Sequence, residues 1–372
     1  MLHRKPPLLS CLLQLKIYPQ SLSWLSRLGE LWFTLFLLWR IIMSLSETIP
    51  IGLDFGAGAI KLYARGQGIQ LLSQVAFDSG RRIGRLHGLE RQKRAMLVGT
   101  SQGDFYVGEN AHDTGGALEN MSLDRFAGAP ENGALMYGAM AAHIRRHGAF
   151  DAPVYLTVGL PLEALSGEDA PATVDAVQRW IKGQHSWQVD GHDFAIEVAE
   201  ARITSQPVGG LFDFLLDGEG QFAPGRREMF NQEVGIISVG MSTTELLVVR
   251  NRVPVQRFTA GSSSGVRRLL ELVDGQRLYS LGELDTLLRA GRLDVSKALP
   301  IWQEEIVGRI DKQWGTAWRR FAAVLLLGGG VLLLKDSLPY RFAGKAVIPD
   351  DPVLSIARGL WKLGLFQLQK KG

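Results

Sequence analysis

The sequence predicts an α/β protein of two duplicated domains with a ligand cleft between them. Three stretches carry that expectation. Ile51–Lys61 reads IGLDFGAGAIK, apolar residues on either side of alternating glycines, which is the pattern of strand, tight turn and strand. The plan recurs in Val234–Arg250, VGIISVGMSTTELLVVR. Phe321–Lys335, FAAVLLLGGGVLLLK, reads as a buried strand, three glycines and a helix. Two such hairpins, each opening a meander, suggest a duplicated unit that clamps one nucleotide from two sides.

The residue types in these turns suit phosphate chemistry. Glycines let backbone N–H groups approach an anion with no Cβ in the way. An aspartate on the first strand, Asp54, can face a metal ion, and Lys61 on the second can reach a phosphate chain as a point charge. Ser242, Thr243 and Thr244 add hydroxyl donors in the second hairpin. A ligand lying flat on the Gly328–Gly330 backbone accounts for the triplet; a transmembrane span would need about 20 apolar residues without glycines in its middle. The first hairpin taken alone is equally compatible with a plain turn.

At 372 residues, the chain has room for about two domains, and 46% hydrophobic with 21% charged residues fits a globular fold. The formal charge of +4 comes from residues 1–42, where Arg4, Lys5, Lys16, Arg27 and Arg40 stand against Glu30 alone. The remainder is neutral and shows no basic stripe, so direct nucleic-acid binding is not expected. The single cysteine, Cys11, lies in the same segment, which excludes disulfides and cysteine-based zinc sites elsewhere. The apolar run Leu31–Trp39 is too short to span a bilayer. Within an N-terminal extension over 1–47, Met43 reads as the natural start, with residues 1–42 misassigned; an apolar surface anchor is the alternative, and only that would bring a membrane in. A cytoplasmic location is expected.

Along the chain, Ile51–Gln74 reads as a β-meander and Gly133–His147 as a helix. His143 and His147 are four apart on that helix, but no third ligand stands at a familiar spacing, so they read as a solvated face. Val154–Leu162 is a buried strand ending in a Gly-Leu-Pro loop, followed by a helix through Ala172–Lys182 and a strand at Ala195–Ile203. Val208–Leu216 has helical spacing. Gly261–Gly265 matches the nucleophile elbow of serine hydrolases, which needs a histidine after its serine. No histidine follows His192, so the stretch reads as a turn capping the helix Val266–Val273. Leu281–Arg309 reads as two short helices, and the closing SIARGLWKLG as a helix whose small residues allow close packing.

The order of these motifs resembles the actin and Hsp70-like ATPase superfamily, and within it the ParM/StbA plasmid-segregation actins and archaeal actin-like proteins. VGLPLEAL, SQPVGGLFDFL and SIARGLWKLG support the resemblance, which covers roughly Ile51–Leu365. It implies a two-domain actin-like, ribonuclease H-like fold: domain I over 48–205 with a small insert, domain II over 206–350 with a helical insert near 275–315, and 351–372 returning to domain I. It implies ATP or ADP with Mg²⁺ as cofactors. Asp54 would sit near the metal through water, while Gly56, Gly58 and Lys61 would hold the phosphates. Gly240, Ser242, Thr243 and Thr244 would cradle them from the other side, Gln206 would orient the attacking water, and Gly328, Gly329 and Gly330 would contact the adenosine.

One position departs from the pattern. The family carries Asp-x-Gly in its second hairpin, and here Ser238 stands in place of that aspartate, leaving a hydroxyl as a weak, water-mediated partner for the metal. Glu245 is the acid that could compensate. The resemblance implies an ATPase that assembles with itself into filaments, for DNA segregation through an adaptor protein or for a cytoskeletal role. Ser238 points to the alternative, a non-hydrolysing nucleotide-bound scaffold for a membrane or division assembly. A small-molecule kinase of the same superfamily ranks last, because such enzymes need an acidic base near a sugar site and no convincing one is found.

Overall fold

The computed structural model describes residues 48–80, 87–88, 90, 95–118 and 122–371. The expectations for residues 1–47 lie outside them. Among the described residues no helix is long and apolar enough to cross a membrane.

Two sheets organise the molecule. The larger one contains β1 (Ile49–Phe55), β2 (Ala59–Ala64), β3 (Gln67–Leu72), β4 (Val75–Phe77), β5 (Met96–Thr100), β6 (Gly103–Val107), β7 (Gly116–Leu118), β8 (Val154–Leu160), β9 (Gly183–Val189) and β10 (His192–Ser205). Their spatial order is β3-β2-β1-β8-β10-β9-β5-β6-β4-β7. β1 pairs with β8 in parallel and with β2 antiparallel, in the register Asp54↔Lys61 and Phe55↔Ile60. Every residue of β8 is buried, as expected of an uninterrupted apolar strand covered on both faces.

The smaller sheet contains β11 (Val234–Val239), β12 (Thr244–Arg250), β13 (Val253–Pro254), β14 (Ala260–Ser262), β15 (Ala323–Leu327) and β16 (Ala346–Val347), in the order β13-β12-β11-β15-β16 with β14 beside β12. β11 and β12 pair in the register Ser238↔Glu245 and Val239↔Thr244. β11 also pairs in parallel with β15. The two glycine hairpins therefore have connections of the same length, residues 56–59 and 240–243 between the last paired residues, and occupy equivalent places in their sheets.

The longer helices are α1 (Pro130–His147), α2 (Ala170–Ile181), α3 (Gln206–Leu215), α4 (Val266–Val273), α5 (Leu281–Arg289), α6 (Leu299–Trp314) and α7 (Ser355–Gln369). α5 starts at a reciprocal capping box between Ser280 and Glu283, which ends the preceding loop sharply. α7 lies against both α3 and β1. A Cβ at Gly359 would sit 1.7 Å from the Gly209 carbonyl oxygen, and one at Gly52 would sit 2.0 Å from that of Ala357. Backbone approach this close admits only glycine. Across the same contact Arg358 and Lys362 both reach the buried Asp213.

Three expectations change in detail. β9 was not anticipated, although GQHSWQV alternates and buries His185, Trp187 and Val189. The helix after the glycine triplet is one turn, Val331–Leu334, before the chain enters a 3-10 turn at Leu338–Phe342 with Pro339 in it. His143 is buried and not on a solvated face: its ring stacks on Phe150 at 5.4 Å. Burial pushes its pKa down to about 4, with His147 beside it adding to the shift.

Candidate functional site

One cavity of about 830 Å³ collects the singled-out glycine turns. Asp54, Gly56, Gly58, Lys61, Gln206, Ser238, Gly240, Ser242, Thr243, Gly328, Gly329 and Gly330 all line it. Its volume falls in the range of about 300–1,000 Å³ usual for small-molecule sites.

The first hairpin sets the charged end. Asp54 is the penultimate residue of β1 and is 1% exposed. Its two carboxylate oxygens are both engaged: Lys61 Nζ lies 3.0 Å from Oδ2, and Gln206 Nε2 donates to Oδ1 at 2.7 Å. Lys61 reaches Asp54 because the two residues face each other in the β1–β2 register. Gln206 opens α3, with Pro207 next to it in the first turn, so its side chain points back over the end of β1. Gly56 has no room for more: a Cβ there would sit 2.6 Å from Lys61 Nζ.

The second hairpin is fixed by backbone hydrogen bonds and carries no free charge. Gly240 N donates to the Thr243 carbonyl, and the first residues of α4, Val266 and Arg267, donate to the carbonyls of Gly240 and Met241. The two hairpins nearly touch, since a Cβ at Gly58 would come within 2.8 Å of Met241 Cβ. Gly328 adopts φ +87°, which presses the triplet against Val239 and leaves Gly329 open to the cavity.

Thr244, expected to cradle the phosphates, does not line the cavity. It begins β12, is buried, and its hydroxyl donates to the Ser264 carbonyl 3.1 Å away. One residue past the turn, strand alternation aims its side chain inward. Glu245 also fails to reach the cavity. Its Oε1 accepts from Leu162 N at 2.5 Å, and Oε2 is buried with no hydrogen-bond partner. Burial pushes its pKa up to about 8; the Leu162 amide opposes that, while Asp54 and Glu163 add to it. At neutral pH Glu245 is a neutral acid, so it does not replace the charge missing at Ser238.

Several lining residues carry no sequence signature. Arg267 and Glu271 form a pair one turn apart on α4 at 2.8 Å, and Arg289 pairs with Asp285 on α5 at 2.8 Å. Glu163 lies on the 3-10 turn after β8, and Arg125 on the turn before α1. Burial lowers the pKa of Arg125, partly offset by Glu131. The other wall is apolar, from Leu332, Leu333, Val353 and Ile356. Charged groups at one end and an aliphatic wall at the other match a ligand with a phosphate chain and a flat apolar part.

Known proteins share this fold at low sequence identity. Residues 52–209 match the family described as actin like proteins N terminal domain. The chain has an actin-like fold. The structure of the actin-like protein Alp7A superimposes with a TM-score of 0.67 at 16% identity, covering 87% of this chain and 98% of that one. A ParM from a 15-stranded filament of Clostridium botulinum gives 0.64 at 19% identity, covering 86% and 99%. An archaeal actin homolog in complex with ADP gives 0.60 at 16% identity, covering 87% and 99%. No curated protein matches the sequence. The expected likeness to actin-like proteins, ParM among them, is upheld at the level of the fold.

The cavity fits Mg²⁺ poorly. This ion is usually held by one or two carboxylates together with phosphate oxygens and water. Here both Asp54 oxygens are held by Lys61 and Gln206, and Ser238 offers only a hydroxyl. Among the described residues no group of three or more His, Cys, Asp or Glu side chains could hold a metal.

Proposed function

We propose that this protein is a nucleotide-binding actin-like protein that assembles with itself into filaments, with nucleotide occupancy controlling assembly. One observation carries the reading: both glycine hairpins and the glycine triplet line a single cavity, with the Lys61 ammonium at its charged end. ATP or ADP would place its phosphates between Gly56–Lys61 and Gly240–Thr243, and its adenosine against Gly328–Gly330 and the aliphatic wall. Gln206, held on Asp54, is the residue best placed to orient a water for attack on the γ-phosphate. Self-assembly rests on the likeness to a ParM filament protein. A cytoplasmic location and an adaptor that links filaments to DNA belong to the same reading.

A second reading is favoured by Ser238: a scaffold that holds nucleotide without hydrolysing it. Losing one of the two carboxylates that face the phosphates in the family pattern leaves binding through backbone amides intact and removes charge from the reacting end.

Calorimetry with ATP, ADP and GTP tests binding, and nucleotide-dependent pelleting tests assembly. Phosphate release that disappears in Gln206→Ala supports the ATPase; binding without release supports the scaffold. Absence of binding by any nucleotide refutes both.

A further inference from the structure

We propose that the cleft holds its nucleotide without a divalent cation, the Lys61 ammonium taking the place of the metal as the charge that compensates the phosphates. The inference rests on the nucleotide reading and deepens it.

Three features carry it. First, the carboxylate at the expected metal position is spent: Asp54 gives one oxygen to Lys61 at 3.0 Å and the other to Gln206 at 2.7 Å, and is 1% exposed. With both oxygens held by protein donors, Asp54 presents neither of them free to a hydrated Mg²⁺. Second, the facing position is Ser238, and its partner across the ladder, Glu245, is turned away onto the Leu162 amide and lies outside the cavity. Third, two other cavity carboxylates, Glu271 and Asp285, are each paired with an arginine on their own helix. Among the described residues Glu163, on an exposed turn, is the remaining carboxylate of the lining.

Lys61 is already in the place such a role needs. Its ammonium is held between Asp54 and the Gly56 backbone, where even one methyl group would crowd it. A fixed cation of this kind makes charge-assisted hydrogen bonds to phosphate oxygens and needs no dehydration of a metal. The same arrangement explains why a serine suffices opposite Asp54: with no metal to anchor, a second carboxylate there would only repel the phosphates.

The test is calorimetric titration of the full-length protein with ATP in excess MgCl₂ and, separately, in excess EDTA. The wild-type affinities should agree within about threefold. Ser238→Asp should create a preference for the magnesium buffer of about tenfold or more, because it restores an unpaired carboxylate facing the phosphates. Lys61→Gln should lose about tenfold or more in both buffers. A wild-type affinity that falls about thirtyfold or more in EDTA overturns the proposal. If that dependence vanishes in Glu163→Gln, Glu163 is the ligand the proposal denies. Absence of binding in both buffers removes the nucleotide reading itself, whereas binding restricted to magnesium removes only the present inference.

Discussion

The two glycine hairpins are alike in backbone and opposite in electrostatics. In each, the last residues of a buried strand turn through glycines into an antiparallel partner, and the residues at equivalent ladder positions are Asp54↔Lys61 and Ser238↔Glu245. The first hairpin sets a charged pair at the cavity edge; the second places a hydroxyl there and buries its acid in neutral form. The shared frame shows that strand register fixes where side chains can go. Which hairpin supplies charge is decided by single residues at those positions.

Breaking the charged pair should have the largest effect. Lys61→Ala leaves the buried Asp54 without its cation; removing one partner costs about 3–5 kcal/mol where both are buried, and this part-buried pair should lose somewhat less. Urea denaturation should show that loss, with the double variant Lys61→Ala/Asp54→Asn recovering much of it. A wild-type denaturation midpoint in Lys61→Ala would mean that the pair contributes nothing to the fold.

The second hairpin should answer to pH through Glu245. The folded pKa of Glu245, about 8, lies above the ordinary carboxylate value of 4.5. Folding therefore favours its protonated form. The stability this provides is full below about pH 4.5 and is lost as pH rises toward 8, an effect on the order of a few kcal/mol. Glu245→Gln keeps an acceptor for the Leu162 amide and cannot ionise. Its stability relative to wild type should rise steadily between pH 5 and about 8, as read from denaturation midpoints. A constant difference across that window would place an ordinary carboxylate at Glu245.

Local patterns disclosed most of the fold. Alternating apolar residues and glycine turns marked β1, β2, β11 and β12, and the glycine triplet marked the end of β15. Those same turns carry most of the cavity lining, which is why the site was legible as well. What escaped depends on contacts distant in sequence. Thr244 reads like its neighbours Ser242 and Thr243, and only the register with β14 turns it inward. His143 has the helical spacing of a surface residue, yet α1 packs that side against the β2–β3 hairpin. The pairing of Asp54 with Gln206 joins residues 152 positions apart, a closeness no local pattern records. Arg125 and Glu163 reach the cavity from short turns that have no periodicity to read.

Matched glycine substitutions give the finest test of the hairpin comparison. In the first turn a Cβ at Gly56 would lie 2.5 Å from the Ala59 carbonyl oxygen and 2.6 Å from Lys61 Nζ, so Gly56→Ala must shift backbone and disturb the ion pair. Overpacking of that kind costs about 1–3 kcal/mol. In the second turn a Cβ at Gly240 meets only the Thr243 carbonyl oxygen at 3.5 Å, an ordinary contact. Neither glycine has a positive φ, so the difference is one of space alone. Gly240→Ala should therefore leave stability within about 0.5 kcal/mol of wild type. Its methyl group would still enter the space between Gly240 and the ligand, and ATP affinity measured by calorimetry should fall. A variant unchanged in both respects would take the second hairpin out of the binding site, while a loss of stability equal to that of Gly56→Ala would show the two turns to be equally tight.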